Sequence, residues 1–268
     1  RQARLLLELP LRGRKPVLAL VVQLARGNFQ GETIDGRKTG TLKMYSLPGC
    51  PLKSASGPVE ALKPETIPES YANRMGREWP EINFEKPVFQ GQYQSPVFEE
   101  ERLTAKDVFS PRPGLYVYDL QQEIAGIPVI RFRGKAGERA VIRYAEMLYP
   151  DLPEYAGLSG MILTENYRDA ESTDYYILRG DEDGEVFMPE HTFHGYRYIE
   201  ISGVENPPGT EEVESLQLSS VRKITGDVST SDPLLNRLVK NVCYSMLSNF
   251  ISIPTDCPQR NERMGWAG

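Results

Sequence analysis

From residue 114 onward, apolar and polar residues alternate with a period of two in one short run after another. The runs at 114–120, 127–133, 139–147, 173–178, 191–201 and 213–221 carry this pattern. Neighbouring side chains of a strand point to opposite faces, so each run offers one face to a core and the other to solvent. Turns rich in Gly and Asp separate the runs, among them Gly134-Lys135-Ala136-Gly137 and Gly180-Asp181-Glu182-Asp183-Gly184. Short alternating strands with frequent turn signals predict an antiparallel β-sandwich, assigned to residues 106–228.

The period changes at Ser231-Asp232-Pro233. Asp232 is suited to cap a helix whose first position is Pro233. Leu234, Leu235, Leu238, Val239, Val242, Cys243, Met246 and Phe250 then recur at helical spacing. They predict an amphipathic helix whose apolar stripe packs against other elements. Cys243 on that stripe reads as a small buried hydrophobe. Pro254 and Pro258 end the helix and leave the last residues on an irregular loop.

Residues 1–105 read as an N-terminal, β-rich accessory domain. Strand-like runs lie at 5–9, 17–24 and 41–47, and prolines at 48, 51, 58, 64, 68, 80 and 87 forbid long helices in the stretch that follows. Trp79 in that stretch is expected to anchor packing. The opening Arg1-Gln2-Ala3-Arg4-Leu5-Leu6-Leu7 lacks a cleavage-site pattern and reads as a strand entered mid-chain. Both ends are expected to be cut from a longer polypeptide.

With 268 residues, 40% of them hydrophobic and 25% charged, the chain has an ordinary globular composition. Its formal net charge of -6 leaves no basic excess for phosphates, which argues against general nucleic-acid binding. No apolar run reaches the length of a membrane-spanning helix. The three cysteines, Cys50, Cys243 and Cys257, form neither a disulfide framework nor a CxxC zinc site. His191 and His194 stand three apart in a strand-like run and so face opposite sides, and no metal site is assigned to them. The acidic turn at 180–184 lacks the EF-hand ligand pattern; it reads as a solvated hairpin tip, and calcium finds no support in it. No cofactor is predicted, and neither compartment nor oligomeric state is assigned.

The densest chemistry lies in Asp256-Cys257-Pro258-Gln259-Arg260-Asn261-Glu262-Arg263-Met264-Gly265-Trp266-Ala267-Gly268. The bland reading is a polar loop capping the preceding helix. The sharper one is a sugar site, because Asp, Glu, Arg and Asn bond hydroxyls and Trp lies against the apolar face of a pyranose ring. The segment Ser252-Ile253-Pro254-Thr255-Asp256-Cys257-Pro258-Gln259-Arg260, continued by Glu262-Arg263-Met264-Gly265-Trp266, resembles the signature of bacterial α-L-rhamnosidases. That signature reads roughly Pro-Thr-Asp-Cys-Pro-Gln-Arg-Asp-Glu-Arg-x-Gly-Trp-Thr-Gly-Asp. Asn261 stands where Asp is usual, which keeps shape and hydrogen bonding but loses a charge. The sequence also stops before the Asp expected after Gly268. Tyr118-Asp119-Leu120, Arg143-Tyr144-Ala145-Glu146, Thr173-Asp174-Tyr175-Tyr176-Ile177-Leu178 and Phe193-His194-Gly195-Tyr196-Arg197-Tyr198 extend the likeness to the β-sandwich that precedes the family's catalytic domain. Of these, Tyr196 and Tyr198 are expected to share one strand face, and His194 to be a bonded structural histidine.

The resemblance implies that residues 229–268 begin an (α/α)6 toroid whose remaining helices would follow Gly268. It makes Glu262 the general acid, and places Asp256, Arg260 and Trp266 on the sugar. To deliver a proton near neutral pH, Glu262 needs burial or a neighbouring negative charge, which Asp256 would supply. Arg260 and Arg263 would oppose this, so at least one is expected to pair with Asp256 or to face backbone carbonyls. The catalytic base is expected to be a second Glu far along the toroid, and residues 1–268 alone are expected to be inactive. The implied activity of the longer polypeptide is release of terminal α-L-rhamnose from glycosides or polysaccharides, with inversion. Two other readings stay open: a non-catalytic carbohydrate-binding relative, motivated by Asn261, and a structural β-sandwich adaptor.

Overall fold

The alternating runs form strands in the computed structural model, which describes residues 33–35, 95–168, 170–190 and 192–260. The chain divides into two compact units, Arg1–Leu6 with Thr41–Tyr93 and Leu7–Gly40 with Gln94–Gly268. Every described residue belongs to the second. The runs at 5–9, 17–24 and 41–47, and Trp79, lie outside the described residues.

The elements in chain order are β1 (Thr33–Asp35), β2 (Phe98–Thr104), β3 (Asp107–Arg112), β4 (Leu115–Phe132), β5 (Arg139–Ala145), β6 (Met147–Leu148), β7 (Ile162–Leu163), β8 (Thr173–Ile177), β9 (Glu185–Phe187), β10 (His194–Ser202) and β11 (Val213–Ser219). Helix α1 (Pro233–Asn249) and the short strands β12 (Phe250–Ile251) and β13 (Ile253–Pro254) follow. One nine-stranded sheet runs in the order β1-β8-β5-β10-β4-β11-β2, with β3 and β9 also paired to β4. Its pairings are antiparallel apart from β1 with β8. The mainly antiparallel β architecture followed by a helix is the fold class expected from the sequence.

Strand β4 organises the sheet. The pattern suggested two strands, at 114–120 and 127–133, but one 18-residue strand covers both. It is not straight: Gln121 has φ 58 and donates its N–H to Asp119 Oδ1 at 2.7 Å. That local bond compensates a backbone setting unusual for a side-chain-bearing residue. Pro128 lies between the end of β10 pairing at Gly126 and the start of β9 pairing at Ile130, a gap where a missing N–H costs no ladder bond. Strand β2 escaped the pattern because it is a sheet edge carrying Glu99, Glu100 and Glu101, and charge on an edge discourages pairing with other chains.

The main core takes residues from β2, β4, β5, β8, β9, β10 and β11, so the sheet curls around a common interior that includes Tyr118, Ile130, Phe132, Ile142, Tyr176 and Ile201. Tyr196 belongs to this core, whereas Tyr198 packs against a separate cluster around Val117 and Tyr167. They do not share an environment as their spacing suggested. A register shift falls between them, where Tyr196 pairs with Ile124 but Tyr198 pairs with Asp119. Turn 180–184 is held from inside: Glu185 accepts the Tyr176 hydroxyl at 2.6 Å and the backbone N–H groups of Arg179 at 2.9 Å and Gly180 at 3.0 Å. Burial pushes the Glu185 carboxyl up, but these donors outweigh it and hold it below its ordinary value.

Buried polar groups tie β5, β8 and β10 together. Asp174 is 0% exposed and accepts the Tyr144 hydroxyl at 2.7 Å, with His194 Nε2 at 3.0 Å from the same oxygen. The Tyr144 and His194 rings stack at 4.2 Å. His194 is therefore a bonded structural histidine, as its sequence context suggested. Asp174 serves three buried partners, Tyr144, His194 and Thr192, so removing its carboxylate in Asp174→Ala is expected to lower the unfolding free energy by about 3 kcal/mol. Asp174→Asn, which keeps a hydrogen-bonding group, is expected to lose clearly less. Urea unfolding of the two variants checks this; a negligible loss for Asp174→Ala would show that the network does not matter to the fold.

Candidate functional site

Asp232 opens α1 as expected, its Oδ1 accepting the N–H of Leu234 at 2.8 Å with Pro233 at the first position. The apolar stripe does not behave as expected. Leu234, Leu235, Leu238 and Val242 are exposed, and within the helix only Leu247 and Ser248 are buried. Cys243 is half-buried. Periodicity identifies which face of a helix is apolar, but not whether anything covers it. Among the described residues, α1 meets the sheet through its last turn, where the Ala125 N–H donates to Ser248 Oγ at 3.2 Å.

From that anchor the chain is folded back on itself. The Ser220 N–H donates to the Phe250 carbonyl at 2.7 Å, and the Ser252 N–H to Ser220 Oγ at 2.7 Å. Ser252 turns the chain with φ 72 between β12 and β13. Thr255 then donates both its N–H and its hydroxyl to the Asn249 carbonyl, at 2.7 and 3.1 Å. These bonds satisfy a carbonyl at the helix end and bring Asp256 back beside it.

The turn Pro258–Arg260 lands on β10 at Gly195. A β-carbon there would lie 2.6 Å from the Gln259 nitrogen and 3.1 Å from its α-carbon. Backbone meets backbone at this point, which any side chain would prevent. Between turn, helix and sheet is a cleft of about 480 Å³. Gln122 and Glu123 of β4, Glu146 after β5, Asn241 and Tyr244 of α1, and Asp256 and Cys257 face it. These walls are polar and hold donors and acceptors on several sides.

Of the residues singled out in the sequence, Asp256 and Arg260 are brought together: Arg260 Nη2 lies 3.9 Å from Asp256 Oδ2. Arg260 also donates to Cys257 Sγ, and Cys257 lies 3.4 Å from Asp256 Oδ2. The expected pairing of an arginine with Asp256 is present. Burial pushes the Cys257 thiol up, with Asp256 adding to this and Arg260 opposing it, so a neutral thiol rather than a nucleophilic thiolate faces the cleft. Glu262 and Trp266, with Asn261 and Arg263, lie outside the described residues. His191 does as well. Among the described residues, no group of three or more His, Cys, Asp or Glu side chains is placed to hold a metal ion.

Among the cleft residues not identified as site residues from the sequence are Gly195, Glu123 and Glu146. Gly195 had a readable signal, since an isolated glycine inside a strand pattern marks close backbone approach. Glu123 had none; Glu146 stood in the Arg143–Glu146 segment, but they are 23 residues apart and only the fold brings both to the cleft. Burial, together with a hydrogen bond to Glu123 and its charge, pushes the Glu146 carboxyl up to about 8, with Arg260 pulling the other way.

Residues 110–219 match the sequence model of the bacterial alpha-L-rhamnosidase concanavalin-like domain, and residues 223–268 match that of the bacterial alpha-L-rhamnosidase 6 hairpin glycosidase domain. An alpha-L-rhamnosidase of Streptomyces avermitilis is 38% identical over 177 residues, covering 66% of this chain and 16% of that protein. One from Formosa agariphila is 42% identical over 155 residues, covering 57% of this chain and 16% of that protein. The crystal structure of Streptomyces avermitilis alpha-L-rhamnosidase complexed with L-rhamnose superposes with a TM-score of 0.60 at 38% identity, over 65% of this chain and 16% of that one. The chain thus spans about one-sixth of the length of these relatives.

The approach at Gly195 is directly testable. Gly195→Ala forces the turn away from β10 and is expected to lower stability by about 1–3 kcal/mol, the usual range for overpacking. Amide exchange at Gln259 should accelerate while exchange in β5 and β8 stays slow. Unchanged exchange at Gln259 would mean that the turn does not rest on β10.

Proposed function

Residues 110–268 belong to the bacterial α-L-rhamnosidase family, and from that membership we propose that the polypeptide containing them hydrolyses terminal α-L-rhamnosides with inversion. The observation that carries this reading is the order of the pieces: a rhamnosidase β domain followed directly by the start of the glycosidase domain, with Asp256 held at a polar cleft between them. Glycoside hydrolysis needs a proton for the leaving oxygen and a second carboxylate across the bond. In an inverting enzyme that carboxylate activates water, from a partner roughly 6.5–9.5 Å away.

In this reading Glu262 is the general acid, two residues beyond Arg260 in the sequence. Asp256 and Arg260 bond the sugar hydroxyls, and the Arg260–Asp256 pairing supports a fixed, pre-paired arrangement of both groups. Trp266 provides the stacking face for the ring. The catalytic base belongs to the remainder of the helical domain, so residues 1–268 by themselves are not expected to turn over substrate. Asn261 lowers the negative charge beside Glu262 relative to the usual motif, and so weakens one source of the raised pKa that a general acid requires.

A single substitution tests the acid assignment in a polypeptide that carries the complete helical domain. Glu262→Gln is expected to lower kcat on natural rhamnosides by about 10²- to 10⁴-fold. Aryl rhamnosides, whose leaving groups need less protonation, should suffer much less. Equal and small losses on both substrate types would remove Glu262 from this role.

A further inference from the structure

Asp256 and Cys257 span a short distance between two anchors. After them, the turn Pro258–Arg260 rests on β10 at Gly195. Before them, Thr255 donates its N–H and its hydroxyl to one acceptor, the Asn249 carbonyl, at 2.7 and 3.1 Å. Thr255 is 9% exposed and is not among the residues that line the cleft, whereas Asn249, Asp256 and Cys257 are. Its hydroxyl is engaged by the helix end and not offered to the cleft.

The acceptor is itself well fixed. Asn249 is the last residue of α1, where a carbonyl finds no N–H donor within the helix. The same helical turn is tied to the sandwich through Ser248 Oγ, which accepts the Ala125 N–H of β4 at 3.2 Å. The Asn249 side chain is tied back as well, its Nδ2 donating to the Ser245 carbonyl at 2.8 Å. Between Asn249 and Thr255 the chain makes the β12–β13 hairpin, with Phe250 paired to Pro254. The two Thr255 bonds close that excursion on one oxygen, whose two lone pairs can take both donors. A β-branched side chain has little freedom at χ1, so a bond from its hydroxyl also constrains the backbone that carries it. The N–H bond thus fixes where the chain passes, and the hydroxyl bond fixes the direction in which it leaves toward Asp256.

We propose that Thr255 is a positioning residue for sugar recognition, its hydroxyl holding Asp256, and with it Arg260, where the two meet the rhamnosyl hydroxyls. This inference rests on the roles proposed above for Asp256 and Arg260. Arg260 moves with the same turn: its N–H donates to the Cys257 carbonyl at 3.1 Å, and its guanidinium lies 3.9 Å from Asp256 Oδ2. Loss of the hydroxyl strands no buried acceptor, because the Thr255 N–H still serves the Asn249 carbonyl. What is lost is the fixed approach to Asp256. Groups that hold the sugar alike in the ground state and the transition state act on KM and leave kcat unchanged. The defect is therefore expected in KM.

The test compares three variants of the polypeptide that carries the complete helical domain, by kinetics on an aryl α-L-rhamnoside and by melting temperature. Thr255→Val and Thr255→Ala lack the hydroxyl, and Thr255→Ser keeps it; the alanine and serine variants lack the same methyl group. Either hydroxyl-free variant is expected to raise KM about 2- to 10-fold, the worth of one hydrogen bond, with kcat nearly unchanged. Thr255→Ser should restore the wild-type KM. Amide exchange at Asp256 should accelerate in the hydroxyl-free variants alone. A merely structural role would lower the melting temperature and the active fraction, and so kcat, at unchanged KM; that result overturns the proposal. So does an equal rise in KM for the serine and alanine variants. If the wild-type polypeptide binds L-rhamnose without cleaving a rhamnoside, its dissociation constant replaces KM with the same expectations. A wild type that neither cleaves nor binds sinks the functional reading and this inference together, whereas an active wild type with unchanged KM in the hydroxyl-free variants sinks this inference alone.

Discussion

A β-carbon at Gly195 would sit 2.6 Å from the backbone nitrogen of Gln259, so the turn at Pro258–Arg260 rests on the sandwich only because that position has no side chain. The other features of the site depend on this approach. It fixes the distance between β10 and the terminal loop, and with it the width of the cleft between sheet and helix. It sets Asp256 and Cys257 at the same cleft as Glu123 and Glu146, with Arg260 beside Asp256. Few side-chain contacts would hold two backbones at such a separation; the remaining alignment comes from hydrogen bonds between Ser220, Phe250 and Ser252 and between Asn249 and Thr255.

The surface on which the turn lands is stiff for reasons that lie beneath it. His194, the residue before Gly195, is locked by Asp174 and stacked on Tyr144, and all three are essentially inaccessible to solvent. Gly195 itself pairs with Ala125 of β4, whose N–H donates to Ser248 of the helix. Sheet, helix end and loop thus meet at two neighbouring strand positions. Satisfied buried polar groups of this kind favour a single arrangement, because any slip in register would strand a carboxylate or an imidazole in the interior. A loop that must present charged groups to a ligand gains precision from a rigid base.

Much of the fold was legible in the sequence where burial on one face imposed alternation, as in 139–145. It was not legible where other constraints acted. The charges of β2 answer to its place on a sheet edge, and the continuity of β4 depends on a local bond between Asp119 and Gln121 that no periodicity reveals. The exposed stripe of α1 marks the limit of pattern reasoning, since Leu234, Leu238 and Val242 repeat as a buried face does yet lie open among the described residues. Asp256 and Arg260 were legible through motif register and the chemistry of carbohydrate recognition. Glu123 and Glu146 were not, because their significance arises only from being brought together across the sheet.

The central claim is that the polypeptide containing the Asp256–Trp266 segment hydrolyses a terminal α-L-rhamnoside with inversion. The most direct measurement is to follow the anomeric proton by NMR while an aryl α-L-rhamnoside is incubated with the polypeptide that carries these residues and the complete helical domain. The account predicts that β-rhamnose appears first and that the α form grows in only by mutarotation. First appearance of α-rhamnose would contradict inversion. Binding of L-rhamnose without any release would replace hydrolysis by carbohydrate binding, with Asn261 as the residue to revert to Asp.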